Sequence, residues 1–541
     1  MSRRSPWLPA VQTALFALAC AGAPPASPAP TADDTPKTGG IFRAPVDADL
    51  HDHDVSYTGT ADANPYVIRN VYSSLLRFKT GPGIKYSELI VEPSLAQRWE
   101  VSPDAATYTF HLRKGVKYTD VPPVNGRELT AADVKWSYEY IGRTGAFKEA
   151  KLPASRNAFY FEGLDEIQTP DPATVVVKFR EGFAPFLNYA ATTDNPIMAR
   201  EIYEQDGHLK DRIAGTGPFI LDSAAGQKGS RAVLKKNRSY FEEGKPYLDE
   251  YHLLIIKDES LRQAAFTSRQ LDLYVSGRDP TVTEEVRRSV PGAQPIDFVS
   301  SPNIMALNFK RPPFDSMKVR LAVSRAIDRD EVVKLVTGGR GGWALAFSNI
   351  RDDLFTQQEI KSFVKYDPEE SRRLLAEAGY PQGFQAELIF AADDAQQKAA
   401  ELVQAQLKRV GINLILKPLE ATENTRRRRA ADCDICWLGE APRVDPDGQL
   451  FNGARARGTA NYNQITDPTV EAMVLAQRRE GNPEKRTQLL RDVIRHINEH
   501  AFAVPTWRSQ LAALTHPYVK GYSQHADYRT QGVIRETWLA P

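Results

Sequence analysis

The sequence predicts an α/β fold in which strands and helices alternate along most of the chain. The second half shows this wiring clearly, because an amphipathic segment from Gln397 to Val410 ends at Gly411 and the strand-like stretch Ile412 to Leu416 follows directly. A helix that is closed by glycine and followed at once by a strand is typical of α/β domains. A body of about 500 residues is long enough for two or three such domains.

The first residues predict export. Arg3 and Arg4 precede an apolar stretch from Leu8 to Leu18. A helix needs about 20 apolar residues to span a bilayer, so this stretch is too short. A basic start, a short apolar run and small residues after it are typical of a secretory signal. We therefore expect residues 1–19 to be a signal peptide.

Two cleavage sites are open after this signal. Cleavage before Cys20 would make that cysteine a lipidated N-terminus, whereas an Ala-x-Ala cut near Ala19 or Ala23 would not. Residues 20–39 are rich in proline and contain no large apolar residue, which predicts a flexible tether. We expect the body in the periplasm or at the outer face of the cytoplasmic membrane.

Composition and motifs argue against several functions. The formal net charge is +1 over 541 residues, whereas a nucleic-acid-binding domain usually has a basic excess. The sequence contains no G-x-S-x-G elbow, no H-E-x-x-H and no phosphate-binding P-loop. We therefore expect no nucleic-acid partner, no cofactor and no enzymatic activity.

Short patterns mark individual elements of the body. The alternation of apolar and polar residues from Thr107 to Leu112 predicts a strand, as do the β-branched residues from Thr174 to Phe179. Thr130 and Asp133 form a capping-box pattern at a helix start. Asp367-Pro368 opens a later helix.

Ordered blocks along the body resemble one family. They are Pro93-Ser94-Leu95-Ala96, Leu112-Arg113-Lys114-Gly115-Val116, Thr130-Ala131-Ala132-Asp133-Val134, Gly215-Thr216-Gly217-Pro218, Pro246-Tyr247-Leu248-Asp249-Glu250, Pro312-Pro313-Phe314, Ala326-Ile327-Asp328-Arg329 and Leu374-Leu375-Ala376-Glu377-Ala378-Gly379-Tyr380. Each block alone is weak, but their order from Gly40 to Tyr522 resembles the family 5 extracellular solute-binding proteins, the dipeptide, oligopeptide and nickel receptors of ABC importers. The chain departs from the family after Asp120, where a short insertion precedes Asn125-Gly126.

The resemblance implies an α/β clamshell with two lobes, the type II periplasmic-binding-protein fold. Lobe I would comprise residues 40–302 and 505–541, with an extra subdomain at about 72–187, and lobe II residues 303–504. Extended segments near Asn303–Leu307 and Val504–Trp507 would form the hinge.

The resemblance also implies a function. A monomer would capture a short peptide in the cleft between the lobes and deliver it to an ABC permease in the inner membrane. A nickel complex, a sugar or an opine is an alternative ligand, and a sensor, a chaperone or a hydrolase on the same scaffold is an alternative role.

One segment resembles the place where peptide-binding members hold the amino group of the ligand. It reads Cys436-Trp437-Leu438-Gly439-Glu440, with Glu440 in place of the usual aspartate. Since the chain then continues two residues further than expected to Asp445, both Glu440 and Asp445 are candidates, with Gly439 beside them. Trp437 either stacks on the ligand or packs in the core.

A glycine-rich stretch provides further candidates. Trp343 ends the run Gly338-Gly339-Arg340-Gly341-Gly342 and is expected to have few neighbours, which favours contact with the ligand. Arg340 or Arg351 would bind a carboxylate, because the guanidinium fork matches its two oxygens.

Other clusters have simpler interpretations. Cys433 and Cys436 are predicted to lie on one strand and point to opposite faces as buried free thiols. The run from His51 to Asp54 is predicted to be a solvated loop and not a metal site. The run Arg426 to Arg429 is predicted to be an exposed helix end.

Overall fold

The computed structural model describes residues 35–46, 50, 52–55, 65–275, 280–440, 443–527 and 533–541. The expected signal peptide, Cys20 and the tether as far as residue 34 lie outside this part of the chain, as does His51. None of the helices within these ranges is long and apolar enough to cross a membrane.

Strands and helices alternate between Asn303 and Gly439, as the sequence predicts, whereas strands follow one another without a helix between Leu76 and Leu112 and between Phe219 and Ile255. The strands are β1 (Ile41–Val46), β2 (Leu76–Phe78), β3 (Val91–Pro93), β4 (Ala96–Val101), β5 (Thr107–Leu112), β6 (Leu164–Asp171), β7 (Thr174–Phe179), β8 (Phe219–Leu221), β9 (Arg231–Lys236), β10 (Glu250–Ile255), β11 (Leu273–Val275), β12 (Gln294–Val299), β13 (Asn303–Leu307), β14 (Gly341–Gly342), β15 (Phe384–Ala391), β16 (Ile412–Leu419), β17 (Ile435–Gly439), β18 (Val504–Pro505), β19 (Arg508–Thr515), β20 (Val519–Lys520) and β21 (Trp538–Leu539). The helices are α1 (Pro65–Val71), α2 (Ala131–Gly142), α3 (Phe186–Ala191), α4 (Arg200–Asp206), α5 (Glu259–Thr267), α6 (Pro280–Ser289), α7 (Met317–Arg325), α8 (Arg329–Val336), α9 (Gln357–Phe363), α10 (Pro368–Glu377), α11 (Asp394–Lys408), α12 (Ala421–Arg429), α13 (Pro446–Gly453), α14 (Pro468–Arg479) and α15 (Pro483–Glu499), with short 3-10 turns at Gly145–Phe147 and Ala158–Phe161.

Lobe I is built on sheets that combine both ends of the chain. One sheet has the order β1-β10-β9-β8, with β1 parallel to β10 and the remaining pairs antiparallel. A second sheet has the order β11-β19-β12, and its middle strand comes from the last part of the chain. Phe42 and Tyr251, on neighbouring strands of the first sheet, are fully buried in the lobe I core.

The subdomain is an antiparallel sheet of order β4-β5-β7-β6. The strand predictions for β5 and β7 are confirmed residue for residue, because alternate side chains of both strands are buried. The capping box before α2 is also confirmed, since the Asp133 carboxylate accepts the Thr130 N–H at 2.9 Å. The Phe186 ring packs between this sheet and α2, within 5.0 Å of Tyr108 and 4.9 Å of Phe179, ring centre to ring centre.

The segment at His53 and Asp54 packs more tightly than the sequence predicts. His53 is 4% exposed and Asp54 is fully buried, so the prediction of a solvated loop is wrong for these two residues. The physical reason is a long-range contact, since the Tyr140 hydroxyl on α2 donates to the Asp54 carboxylate at 2.6 Å. The described residues contain no cluster that could hold a metal ion.

Lobe II is a sheet of order β16-β15-β17-β13-β18 with helices on both faces. The strands β16, β15 and β17 run parallel, and β13 is antiparallel to its neighbours. Successive side chains of β13 and β17 enter two different core clusters, one on each face, as the two-residue period of a strand requires. The helix α7 ends at Arg325, and Asp328 caps the next helix by accepting the Glu331 N–H at 3.0 Å.

The two lobes are in contact in this structure. The Asn188 amide of lobe I donates to Asp445 of lobe II at 2.7 Å, and the Ser87 hydroxyl donates to Asp352 at 2.6 Å. Phe451 of lobe II packs into the lobe I core cluster. The hinge role of the segments at β13 and β18 stays a prediction.

Candidate functional site

The strand β17 carries the predicted binding segment at its carboxyl end. β17 is the middle strand of the lobe II sheet, and Glu440 follows it directly. Alternation along the strand places Trp437 on one face and the neighbours Cys436 and Leu438 on the other.

Trp437 lies in the lobe II core. Its side chain is fully buried, and its ring centre is 5.5 Å from that of Trp507. Of the two roles that the sequence left open, this placement corresponds to core packing. Gly439 is exposed, and a methyl group there would meet no atom closer than 3.7 Å, so packing does not require a glycine.

Glu440 is a buried carboxylate with one oxygen free. The residue is 7% exposed, and its Oε1 accepts the backbone N–H of Phe347 at 2.6 Å. Its Oε2 is buried and has no hydrogen-bond partner within the part of the chain that the structure describes. Burial raises the pKa of Glu440 to about 8, and the Phe347 N–H, the charge of Arg508 and the Asn349 N–H only partly oppose this rise.

Arg508 and Glu440 both form hydrogen bonds with the loop of residues 347–349. The Arg508 Nη2 donates to the Asn349 carbonyl and, at 3.4 Å, to the Ser348 hydroxyl. Its Nε is buried and has no partner among the described residues. Burial lowers the pKa of Arg508, and the charges of Asp352 and Glu440 offset part of this effect. The loop from 347 to 349 therefore lies between a carboxylate and a guanidinium.

The backbone of this loop is unusual. Phe347 and Asn349 have φ angles of 65° and 54°, in the left-handed region that non-glycine residues rarely adopt. Such conformations tend to occur at ligand sites, where the surrounding structure maintains them. Sequence reasoning missed Arg508 and this loop. The available signal was Arg508 as the single charged residue in the stretch from Val504 to Leu514.

Asp445, the second candidate acid, has hydrogen-bond partners at both carboxylate oxygens. It forms a two-pronged salt bridge with Arg486, with oxygen to nitrogen distances of 2.7 and 3.0 Å, and it accepts the Asn188 amide. It also caps α13. Burial acts to raise the pKa of Asp445, but the charge and hydrogen bonds of Arg486 hold that pKa below its ordinary value.

The glycine-rich stretch places its candidates apart. Trp343 is 6% exposed, so the expectation that it has few neighbours is wrong; its Nε1 donates to Asp330 at 2.7 Å. Trp343, Arg351 and Arg508 line one small pocket beside the 347–349 loop. Arg351 is paired with Asp353 at 2.6 and 2.7 Å.

Arg340 does not line this pocket; it forms salt bridges with Asp297 at 3.2 Å and Glu284 at 3.6 Å.

The cysteine prediction is wrong. Cys433 and Cys436 form a disulfide, and both residues are fully buried. Cys433 lies two residues before β17, in an irregular segment. The alternation of a strand therefore does not apply to it, and its side chain can turn towards Cys436.

Fold and site together define a class. A two-lobed α/β clamshell is the architecture of solute-binding proteins of the periplasmic-binding-protein type. The family model described as "Bacterial extracellular solute-binding proteins, family 5 Middle" matches residues 91–462. The chain belongs to this family.

Individual relatives are similar over nearly their whole length. The Dipeptide-binding protein of Escherichia coli (strain K12) is 28% identical over 482 residues, covering 84% of this chain and 86% of that protein. Heme-binding protein A of Haemophilus influenzae is 27% identical over 489 residues, covering 84% and 85%. The solved structure of DppA from Helicobacter pylori in complex with the peptide STSA has a TM-score of 0.76 at 23% identity, covering 93% and 99%.

Proposed function

We propose that this protein is the extracytoplasmic substrate-binding component of an ABC importer and that it captures a short peptide between its lobes. In this proposal Glu440 binds the amino group of the peptide, and the loaded clamshell delivers the peptide to a membrane permease. The role is binding without catalysis. The observation that carries the proposal is the buried Oε2 of Glu440, which has no hydrogen-bond partner in the described part of the chain.

The chemistry of this carboxylate favours a cationic partner. An ionised carboxylate that is buried without a partner is costly, and an ammonium group would both neutralise Glu440 and donate to Oε2. Asp445 cannot offer this, because Arg486 and Asn188 already occupy both of its oxygens. The relatives support the same ligand class, since one is named as a dipeptide-binding protein.

The opposite end of the ligand has a candidate partner as well. Arg508 has a buried Nε without a partner in the described chain, and it contacts the same loop as Glu440. A peptide carboxylate or carbonyl oxygen would satisfy it. In this proposal the arginine that binds the ligand carboxylate is Arg508 and not Arg340, because Arg340 lies in surface salt bridges.

The first test compares a free peptide with its N-acetylated form. Glu440→Gln should weaken the free peptide by on the order of 100-fold, because the ammonium loses its charged partner. The same change should affect the N-acetylated peptide by only a few fold. Isothermal titration calorimetry on wild type and variant measures both. Equal losses for the two peptides would remove the amine role of Glu440.

A pH series sharpens this test. An ammonium ligand needs the ionised form of Glu440, whose pKa is about 8 in the ligand-free protein. Affinity for a free peptide should therefore rise from pH 6 to about pH 8, with a proton released on binding, and fall at higher pH, where the α-amino group of the peptide (pKa roughly 7.7–8.0) loses its own proton. In Glu440→Gln the rise between pH 6 and pH 8 should be absent.

The ligand class itself is tested on the protein as purified. Native mass spectrometry should show bound masses that match short peptides, and a peptide mixture should raise the melting temperature by mass action. A bound nickel complex, sugar, opine or haem together with no peptide effect would replace the peptide by that solute.

A further inference from the structure

Lobe I contains a second polar cavity, separate from the Glu440 site. Three arginines line it, Arg69, Arg77 and Arg535, together with hydroxyl side chains that include Tyr72 and Thr193. No aspartate or glutamate lines it, and all of its lining residues belong to lobe I. Guanidinium and hydroxyl groups around one space form a surface of hydrogen-bond donors.

Arg69 is the centre of this cavity. Its side chain is 2% exposed, and only its Nη2 is paired, with Asp194 Oδ1 at 3.0 Å. Its Nε and Nη1 are buried and have no hydrogen-bond partner within the described ranges. Leaving two donors of a buried guanidinium unsatisfied is costly, so a native occupant is expected there.

Tyr72 supplies a second, independent donor. It follows α1 directly, and its side chain lines the same cavity. Its hydroxyl is buried and, like the two Arg69 nitrogens, has no partner among the described residues. Two side chains from one short segment therefore present unpaired donors to one space.

Arg77 and Arg535 are paired with carboxylates that do not line the cavity. Arg77 pairs through Nε with Glu92 at 2.6 Å and through Nη1 with Glu242, and Arg535 pairs with Glu536 at 3.1 Å. These carboxylates lie outside the cavity wall. They neutralise part of the positive charge, which favours a small anion over a large polyanion, and they fix the positions of both guanidinium groups.

We infer that this cavity binds a small oxyanion, such as sulfate, phosphate or a carboxylate, through Nε and Nη1 of Arg69 and the hydroxyl of Tyr72. Guanidinium forks match the oxygen pairs of such anions. Because lobe I alone forms the cavity, the anion binds whether or not the clamshell is closed. Its binding is independent of the peptide at Glu440.

The experiment measures melting temperatures of the full chain in sulfate, phosphate, acetate and chloride at equal ionic strength. We expect a saturable rise with at least one oxyanion that chloride does not produce, and the anion with the largest rise identifies the source. Arg69→Gln should weaken this anion by about tenfold or more. Arg98→Gln is the matched control, because Arg98 is an exposed lobe I arginine outside the cavity.

Two further readouts keep the result clear. Tyr72→Phe removes only a hydroxyl and should weaken the anion a few fold, so it serves if Arg69→Gln does not fold. Crystals of wild type soaked in selenate should show an anomalous selenium peak between Arg69 and Tyr72. Glu440→Gln should keep the anion effect, which separates this inference from the proposed function.

Three outcomes overturn the inference. The first is equal melting shifts in chloride and in all three oxyanions. The second is an oxyanion effect that a bound peptide or Glu440→Gln abolishes, since the anion would then occupy the interlobe cleft. The third is an oxyanion effect that persists unchanged in both Arg69→Gln and Tyr72→Phe.

Discussion

Glu440 follows β17 directly, and Asp445 lies five residues later at the start of α13. Both acids are buried, yet their carboxylates have different hydrogen-bond partners. Asp445 accepts from Arg486, from Asn188 across the lobe interface and from the backbone of α13. Glu440 accepts the Phe347 N–H, and its Oε2 has no hydrogen-bond partner among the described residues. The difference teaches that burial alone does not identify a binding residue. A buried acid whose oxygens are all satisfied maintains the structure, and one left half satisfied is available to a ligand.

The largest expected effect is on the satisfied acid. Asp445→Ala should lower the free energy of unfolding by about 3–5 kcal/mol, because Arg486 stays behind as a buried charge without its partner. Urea denaturation measures the loss. Glu440→Gln is the control with the opposite sign: it should not destabilise the protein at neutral pH, because it removes a buried carboxyl group whose ionisation costs stability there. If the two variants are equally destabilised, the contrast between the two acids does not hold.

Removing the disulfide tests whether Cys433 and Cys436, at the start of β17, contribute to peptide binding as Glu440 is proposed to do after its end. Replacing Cys433 and Cys436 together by alanine should lower the free energy of unfolding by about 2 kcal/mol, since the disulfide closes only a short loop. Peptide affinity should stay within a few fold of wild type. A loss of affinity as large as that of Glu440→Gln would show that the disulfide positions the site.

The pH dependence of stability distinguishes the two acids by sign. The folded state raises the pKa of Glu440 from 4.5 to about 8, so it keeps a proton that the unfolded chain has released. The contribution of Glu440 is therefore largest below pH 4.5, falls by about 1.4 kcal/mol per pH unit and levels off above pH 8. Asp445 has a lowered pKa, so its contribution is present at neutral pH and is lost in acid.

The measurement for this pair is urea unfolding of ligand-free protein across the pH range. Wild type should lose stability relative to Glu440→Gln as the pH rises from 4.5 to 8. Parallel curves for the two proteins would mean that Glu440 titrates normally.

The smallest expected effect concerns Gly439. Since the nearest atom to an added methyl group lies at 3.7 Å, Gly439→Ala should change the free energy of unfolding by less than about 0.5 kcal/mol. Peptide affinity is the informative readout. A large loss of affinity at unchanged stability would place the ligand backbone directly against Gly439, as the sequence suggested.

Much of the fold could be predicted from local patterns. The strands β5 and β7 and the capped starts of α2 and α10 depend on neighbouring residues, so periodicity and capping chemistry located them. Boundaries were less secure. The local sequence is compatible with Asp328 at the end of one helix or at the start of the next. In the structure α7 ends at Arg325 and Asp328 caps the start of α8.

The site could be predicted only in part. A family pattern indicated Glu440, but Trp437 is buried in the lobe II core, and Trp343 is buried beside Asp330. Cys433 lies just outside the strand that was predicted to include it, and this shift allows the disulfide.

The sequence by itself determined the α/β class, the order of the elements and the segment that carries the binding acid. These follow from short-range periodicity, from capping and from ordered motifs. Only the tertiary structure decided which of two acids is free, because the partners of Asp445 lie 257 and 41 residues away in the chain. The same holds for Arg508, for the disulfide and for the arginines around Arg69. Hydrogen bonding of buried polar groups is settled by residues far apart in the chain, which no local pattern records.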